Sequence, residues 1–356
     1  MAKDMHAEEW DSATLTKLAV FEQYIYDWLN VTVNYQRGLK FNTLEIYDLF
    51  CGSGYDGTNT HKGSPLRILD AVLKRNCKDK TIKIYFNDKD ENKIKQLKFI
   101  VEEQYPNLES KNIEIKWTFI DTKDYKILSK NYYKLIFLDQ YGIRHINKIE
   151  EFLAKGTDIL IFISSGHIRR FLEDEGFKRY IDSRYISKQD FEAKTNYETH
   201  RVIAQYFKQK FQQFFISPFS LIKDNGNING IIFISTHPKG QEQFLKTAWK
   251  IDENFGEGNK NIDRDITKEE GSLFYNKDAV SEKEKRYKEL LVDYLKEYRS
   301  NIDIKIFGMD NGFLAKHTNK ILDELKNNLE CEYCKNSKRG FHLSEKDIRV
   351  RIRLKS

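Results

Sequence analysis

The run Leu44-Glu45-Ile46-Tyr47-Asp48-Leu49-Phe50, stopped by Cys51-Gly52-Ser53-Gly54, constrains the chain most. A near-continuous apolar run of this length, ended by glycines, reads as a buried strand. A strand buried on both faces needs helices above and below it. The sequence supplies them. Ser64-Pro65 opens a helix to about Lys74, because Pro at the first helical position follows a good cap. Ile82–Phe86 is a strand and Asp90 to Tyr105 a helix. Ile113–Ile120 and Lys134–Leu138 are strands, followed by a helix near Asn147–Ala154. Asp158–Ile163 is a strand, followed by a helix at His167–Leu172. This alternation predicts an α/β fold with a doubly wound, Rossmann-like sheet. Two more runs, Phe214–Lys223 and Gly230–Thr236, flank Asp224-Asn225-Gly226-Asn227. Asn-Gly between apolar runs predicts a terminal antiparallel hairpin.

The chain has 356 residues, which suits a large domain plus a smaller one. Residues 1–40 read as a helical lead, with Leu15, Leu18, Phe21, Tyr24, Ile25, Trp28 and Leu29 at helical spacing. Residues 41–252 form the sheet domain, with 169–213 as a charged helical insertion over the sheet edge. Residues 253–272, with Gly256, Gly258 and Gly271, read as a linker. Residues 273–356 then hold a long helix at about Ser281–Arg299, a helix at Leu314–Asn327 and short strands around Lys338-Arg339-Gly340. No apolar run reaches the roughly 18 residues of a membrane span. Met1 to Asp11 is polar and acidic, and four cysteines make no disulfide framework. A cytoplasmic protein with no membrane partner is expected.

Acids stand at successive strand ends. Asp48 lies beside the Gly52-x-Gly54 turn, Asp88 ends the second strand, Asp121 the third and Asp139 the fourth. Ligands of doubly wound sheets bind beyond these ends. Glycines let backbone approach a nucleoside, a carboxylate after the second strand accepts ribose hydroxyls, and one after the third accepts an adenine amino group. Asp is also a common cap and turn residue, and Asp90 reads as a cap.

These features resemble class I S-adenosylmethionine-dependent methyltransferases over roughly residues 40–250, whose sheet also closes with an antiparallel hairpin. The segments Asp48-Leu49-Phe50-Cys51-Gly52-Ser53-Gly54, Gly63-Ser64-Pro65-Leu66, Phe137-Leu138-Asp139-Gln140-Tyr141-Gly142 and Thr236-His237-Pro238-Lys239-Gly240, with Trp249-Lys250, further resemble the bacterial three-Cys-motif partner proteins. That resemblance implies S-adenosylmethionine as cofactor, a C-terminal winged helix and a companion three-cysteine protein. Asp48, Phe50, Cys51, Gly52, Ser53 and Gly54 would hold the methionine end, Asp88 the ribose and Asp121 the adenine. Asp139, Gln140 and Tyr141 would form the catalytic corner. In amino-methyltransferases the acid of this corner accepts from the exocyclic amine and the aromatic stacks on the base. Gln140 replaces the usual Pro. The loop 55–64 could be a ligand lid or a substrate contact.

The formal net charge is +6, and residues 335–356 carry all of it, with eight basic residues against Glu345 and Asp347. Ile348-Arg349-Val350-Arg351-Ile352-Arg353-Leu354-Lys355 alternates perfectly, so one strand face holds Arg349, Arg351, Arg353 and Lys355 in a row. With Lys338 and Arg339 in the turn, this predicts nucleic-acid contact, DNA or RNA, through phosphates. A charged edge strand or an acidic protein partner is the alternative. Cys331-Glu332-Tyr333-Cys334 with His342 leaves a zinc set incomplete, so no metal is expected. The sequence therefore predicts a methyltransferase acting on a nucleic-acid base. Its rival is a partner or sensor subunit that keeps the fold without transferring methyl groups. Nuclease action ranks last, for want of a paired-carboxylate motif.

Overall fold

The computed structural model describes residues 9–35, 42–75, 77, 79–129, 131–140, 142–268, 271–276, 278–335 and 337–355. The chain divides into two compact units, one running to Thr247 and the other spanning Ala248–Ser356.

The first unit opens with α1 (Ser12–Thr32), capped by the Asp11 carboxylate, which accepts from the Thr14 N–H at 2.7 Å. Then follow β1 (Thr43–Asp48), α2 (Ser64–Arg75), β2 (Thr81–Asn87), α3 (Glu91–Gln104), β3 (Ile113–Thr118), β4 (Tyr133–Leu138), α4 (Lys148–Phe152), β5 (Thr157–Ile163) and α5 (Ser165–Phe171). The short α6 (Glu175–Lys178) leads to α7 (Thr199–Lys210), β6 (Phe215–Ile222), β7 (Ile228–Ser235) and α8 (Pro238–Ile251). The seven strands lie in the order β3-β2-β1-β4-β5-β7-β6. Only β7 runs against its neighbours, β5 and β6. This is the expected methyltransferase-type doubly wound sheet with its terminal hairpin. The order reverses between β1 and β4, which opens a crevice beyond their carboxyl ends.

On one face, α1 and α8 meet the sheet through aromatic contacts. Phe21 lies 4.4 Å from Phe137, and Tyr24 lies 5.0 Å from Phe233, which stacks on Phe244 at 4.6 Å. The opposite face buries Ile149 and Phe152 of α4, Ile168 of α5 and Ile203, Ala204 and Phe207 of α7 in one cluster. The segment 169–213 therefore contributes to the main core. Its apolar stripe makes α7 a layer over β6 and β7. Between β3 and β4 the described residues contain no helix; the loop there sends Tyr125 down onto Tyr47.

The second unit contains α9 (Glu282–Tyr294), β8 (Arg299–Ser300), α10 (Asn301–Asp310), α11 (Ala315–Glu324), β9 (Leu329–Tyr333) and β10 (Val350–Leu354). Ser281 with Glu284 and Ser300 with Asp303 form capping boxes that start α9 and α10. The sheet order is β8-β10-β9, all antiparallel. Tyr287, Leu291, Ile304, Phe313, Leu322, Val350 and Ile352 form its core. The glycine-rich stretch read as a linker is built into this unit. Lys283 donates to the Phe255 carbonyl at 2.6 Å and pairs with the buried Glu257 at 3.2 Å, and Gly256 lies against the Trp249 indole. No described helix is long and apolar enough to cross a membrane.

Candidate cofactor and acceptor site

The crevice is organised by a buried polar knot at the strand ends. Asn87, the last residue of β2, is fully buried. Its Nδ2 donates to the Ile120 carbonyl at 2.9 Å and to the Leu49 carbonyl at 3.4 Å. Its Oδ1 accepts from the Ile120 N–H at 3.0 Å and the Thr118 hydroxyl at 2.8 Å. One amide thus ties the ends of β1, β2 and β3 and fixes the loops that follow. The residue was readable as a polar group at the last position of an apolar strand.

Asp48 is also fully buried. One oxygen accepts from the Ser64 hydroxyl at 2.6 Å and the other from the Phe50 N–H at 3.3 Å. Asp48 therefore does not face a cofactor; it bends the loop and locks it to the start of α2. Burial pushes its carboxyl up to about 7, against the pull of those two hydrogen bonds, and the charges of Asp139 and Asp88 push the same way. Cys51 is buried as well, and burial, with Asp48 and Asp88 nearby, holds its thiol well above the usual range. It is a packing residue.

The loop itself is shaped for close approach. Gly54 has φ +103°, and a side chain there would meet Leu97 at 3.0 Å. Gly52 donates its N–H to Asp88 Oδ2 at 3.2 Å, while Asp90 N–H donates to Oδ1 at 2.9 Å. Asp88 is thus aimed by backbone on both oxygens, with lone pairs left for a ligand. Ser53 is half-buried between the glycines. Asp121 opens a turn, accepting from the Lys123 N–H at 3.0 Å, and is half exposed beside Phe119 and Ile120. The Phe50 ring lies 5.2 Å from that of His145. Burial draws His145 below its ordinary value, and its buried Nδ1 has no hydrogen-bond partner among the described residues.

Asp139 stands across the crevice, just beyond β4. Its Oδ2 is 2.5 Å from Lys17 Nζ of α1. Gln140 is buried and turned inward: Oε1 accepts from the His145 N–H at 2.7 Å and Nε2 reaches the Phe162 carbonyl at 3.5 Å. Gln140 therefore braces the turn between β4 and β5 and does not present its side chain to an acceptor. Tyr141 lies outside the described residues. The loop 55–64 is closed on itself. Asp56 Oδ1 gathers the Thr60 and His61 N–H groups and the Thr58 hydroxyl, and Lys62 is held by Asp70 at 2.8 Å. These contacts tie the loop to itself and to α2.

In the second unit the basic row meets a different fate. Strand β10 is central, so each arginine faces cross-strand neighbours. Arg353 pairs with Glu330 at 2.7 Å and lies 4.5 Å over the Tyr298 ring. Arg351 is opposite Glu332, Arg349 is 3.7 Å from Asp347, and Lys355 donates to the Asn327 carbonyl at 2.7 Å. Lys338 and Arg339 stay exposed on the turn between β9 and β10, without a carboxylate partner among the described residues. Buried Asn301 pins the return of that turn by donating to the His342 and Asp347 carbonyls and accepting from the Arg349 N–H.

No family model matches the chain, and no curated protein matches it in sequence. Solved structures with a similar course of chain include the methyltransferase domain of bacterial CtHen1, 14% identical, covering 63% of this chain and 100% of that one, with a TM-score of 0.34. Trm1 from Pyrococcus horikoshii, with S-adenosyl-L-methionine, is 12% identical, covering 65% and 58%, with a TM-score of 0.33. The tRNA (m1A58) methyltransferase TrmI from Aquifex aeolicus is 9% identical, covering 60% and 67%, with a TM-score of 0.31. The fold assignment rests on this chain's own strand order and hairpin.

Proposed function

We propose that this protein is an S-adenosylmethionine-dependent methyltransferase acting on an amino group of a nucleic-acid base. The observation that carries the reading is the placement of Asp88 and Asp139 on opposite sides of the point where the strand order reverses. Asp88 is aimed by Gly52 on the β2 side, and Asp139 is held by Lys17 on the β4 side. The donor set suits the cofactor. Asp88 would accept from the ribose diol, the Gly52–Gly54 backbone would border the methionine end, and Phe119, Ile120 and Asp121 would flank the adenine. The unpartnered Nδ1 of His145 marks a polar position on that same side that a ligand would satisfy.

Bound there, S-adenosylmethionine supplies an electrophilic methyl group: the nitrogen–carbon bond forms as the carbon–sulfur bond breaks, its electron pair stays on sulfur, and the surplus proton passes to water. The chain's share is placement. Asp139 accepts one N–H of the acceptor amine and turns its lone pair toward the crevice. In this reading the second unit is a winged helix, with α11 followed by the β9–β10 wing, whose Lys338 and Arg339 touch phosphates. The protein works in the cytoplasm, and a three-cysteine companion is a further expected partner.

The first test is calorimetry with S-adenosylmethionine and S-adenosylhomocysteine. The wild type should bind in the micromolar range, and Asp88→Ala should weaken binding about tenfold or more. Labelled methyl should then pass to pooled DNA or RNA. Binding without transfer to any pool supports the partner or sensor reading instead.

A further inference from the structure

Lys17 is the one charged residue on the buried stripe of α1. Ala13, Lys17, Phe21, Tyr24 and Trp28 follow one another at spacings of three and four and are all buried. Phe21, Tyr24 and Trp28 already dock the helix. Tyr24 donates to Asp158 Oδ2 at 2.8 Å, near the start of β5, and Lys17 reaches Asp139, just past the end of β4. Seven residues of helix rise about 10.5 Å. Asp158 is level with Leu135 in the sheet, and four strand residues from there to Asp139 span about 13 Å. The helix therefore runs against β4 and carries Lys17 to the carboxyl edge, where the acceptor half of the crevice lies.

The lysine is placed there at some cost to stability. Its side chain is 10% exposed and that of Asp139 is 21% exposed. Burying such a pair is no more stabilising than apolar packing of the same volume. The ammonium also lies 4.7 Å over the Phe162 ring of β5, which fixes it from a second side. It bonds only one carboxylate oxygen. Asp139 Oδ2 takes the lysine, and Oδ1 has no hydrogen-bond partner among the described residues.

We infer that Lys17 is a positioning residue for the acceptor: it holds Asp139 by Oδ2 so that Oδ1 alone is presented to the amine. This rests on the reading of Asp139 given above. A carboxylate left free would rotate and offer either oxygen. Clamped by the ammonium, it presents one lone-pair direction, which is what orientation of an amine requires. The lysine does not touch cofactor or acceptor in this arrangement; it acts through Asp139.

The test uses the full chain with Lys17→Met and Lys17→Arg. Methionine keeps an unbranched apolar stem on the buried stripe, and arginine keeps the charge. The readouts are cofactor affinity by calorimetry, thermal midpoint, and kcat and KM for transfer to the nucleic-acid pool that the wild type methylates. For Lys17→Met we expect cofactor affinity within about twofold and kcat lower by about 10- to 100-fold. Lys17→Arg should recover a substantial part of kcat. A helix anchor alone would change the midpoint and leave kcat in place. Lys17→Met with wild-type kcat overturns the proposal while the function stands. A wild type that binds cofactor and methylates no pool overturns the function, and this proposal with it.

Discussion

Asp48 and Asp139 end neighbouring parallel strands on either side of the switch point, and the sequence presents them alike. The structure gives them opposite work. Asp48 is sealed, with both oxygens taken by Ser64 and Phe50, and leans toward the neutral form. Asp139 is partly open, is held by a cation through Oδ2 and has no partner for Oδ1 among the described residues. One carboxylate builds the glycine loop, and the other is the one the proposed function gives to the acceptor. Second-unit arginines repeat the lesson. Arg353 is fastened to Glu330, whereas Arg339, in the same basic tail, faces solvent. Charge alone did not assign the role; the number of neighbours already using the group did.

The contrast can be broken most directly at Asp139. Asp139→Ala should keep cofactor affinity and lower methyl transfer about a hundredfold or more, read by labelled-methyl incorporation. Equal losses in affinity and transfer would mean that Asp139 shapes the pocket as Asp48 does.

Next in size is the comparison within the basic tail. Changing Lys338 and Arg339 together to Ser should weaken nucleic-acid binding and reduce the slope of log K against log salt by roughly 2. Arg353→Ser should change affinity by about twofold or less, because Glu330 already occupies its charge. A larger effect from Arg353 would return the contact surface to the strand.

The smallest effect concerns Asp48 and pH. Its carboxyl is raised to about 7 in the folded protein, from 3.8 as the ordinary value. The folded state then holds the proton more tightly than the unfolded chain, so Asp48 withdraws stability as pH climbs from about 4 to about 7. Asp48→Asn removes that contribution. The thermal midpoint of the variant, relative to wild type, should rise across this interval. A flat difference would place Asp48 among ordinary ionised carboxylates.

Most of the sheet was legible because each strand is an apolar run closed by a turn residue, and Asn225-Gly226 marks the hairpin. The reading lost accuracy where tertiary contacts decide. Strand β3 stops at Thr118, and Asn87 takes over both backbone groups of Ile120. Segment 169–213 looked peripheral from its charge, yet Ile181, Ile186, Phe191, Ile203, Ala204 and Phe207 pack into the main core, while Phe171 stays exposed. The helix expected to run to Arg299 ends at Tyr294, and the Ser300–Asp303 capping box starts another. In the site, the glycine loop and Asp88 were readable as a pattern. Gln140 was not, since nothing local says that its amide turns in to His145 and Phe162. Lys17 left one trace, a cation inside an apolar helical stripe, but its partner is 122 residues away.

That separation bears on the order in which the protein is made. Helix α1 leaves the ribosome ahead of the sheet residues that its buried stripe meets, Phe137 of β4, Asp158 of β5 and Phe233 of β7, all of which lie more than a hundred residues later. Until then these partners of its buried stripe are missing. The strand ends that hold Asp88 can close around their loop as soon as β1 to β3 are joined, but Asp139 acquires its clamp only when α1 packs onto the finished strand β4. Completion of the Asp139 corner is thus tied to long-range closure, and under the proposed function a nascent chain acquires its means of holding a cofactor before its means of using one.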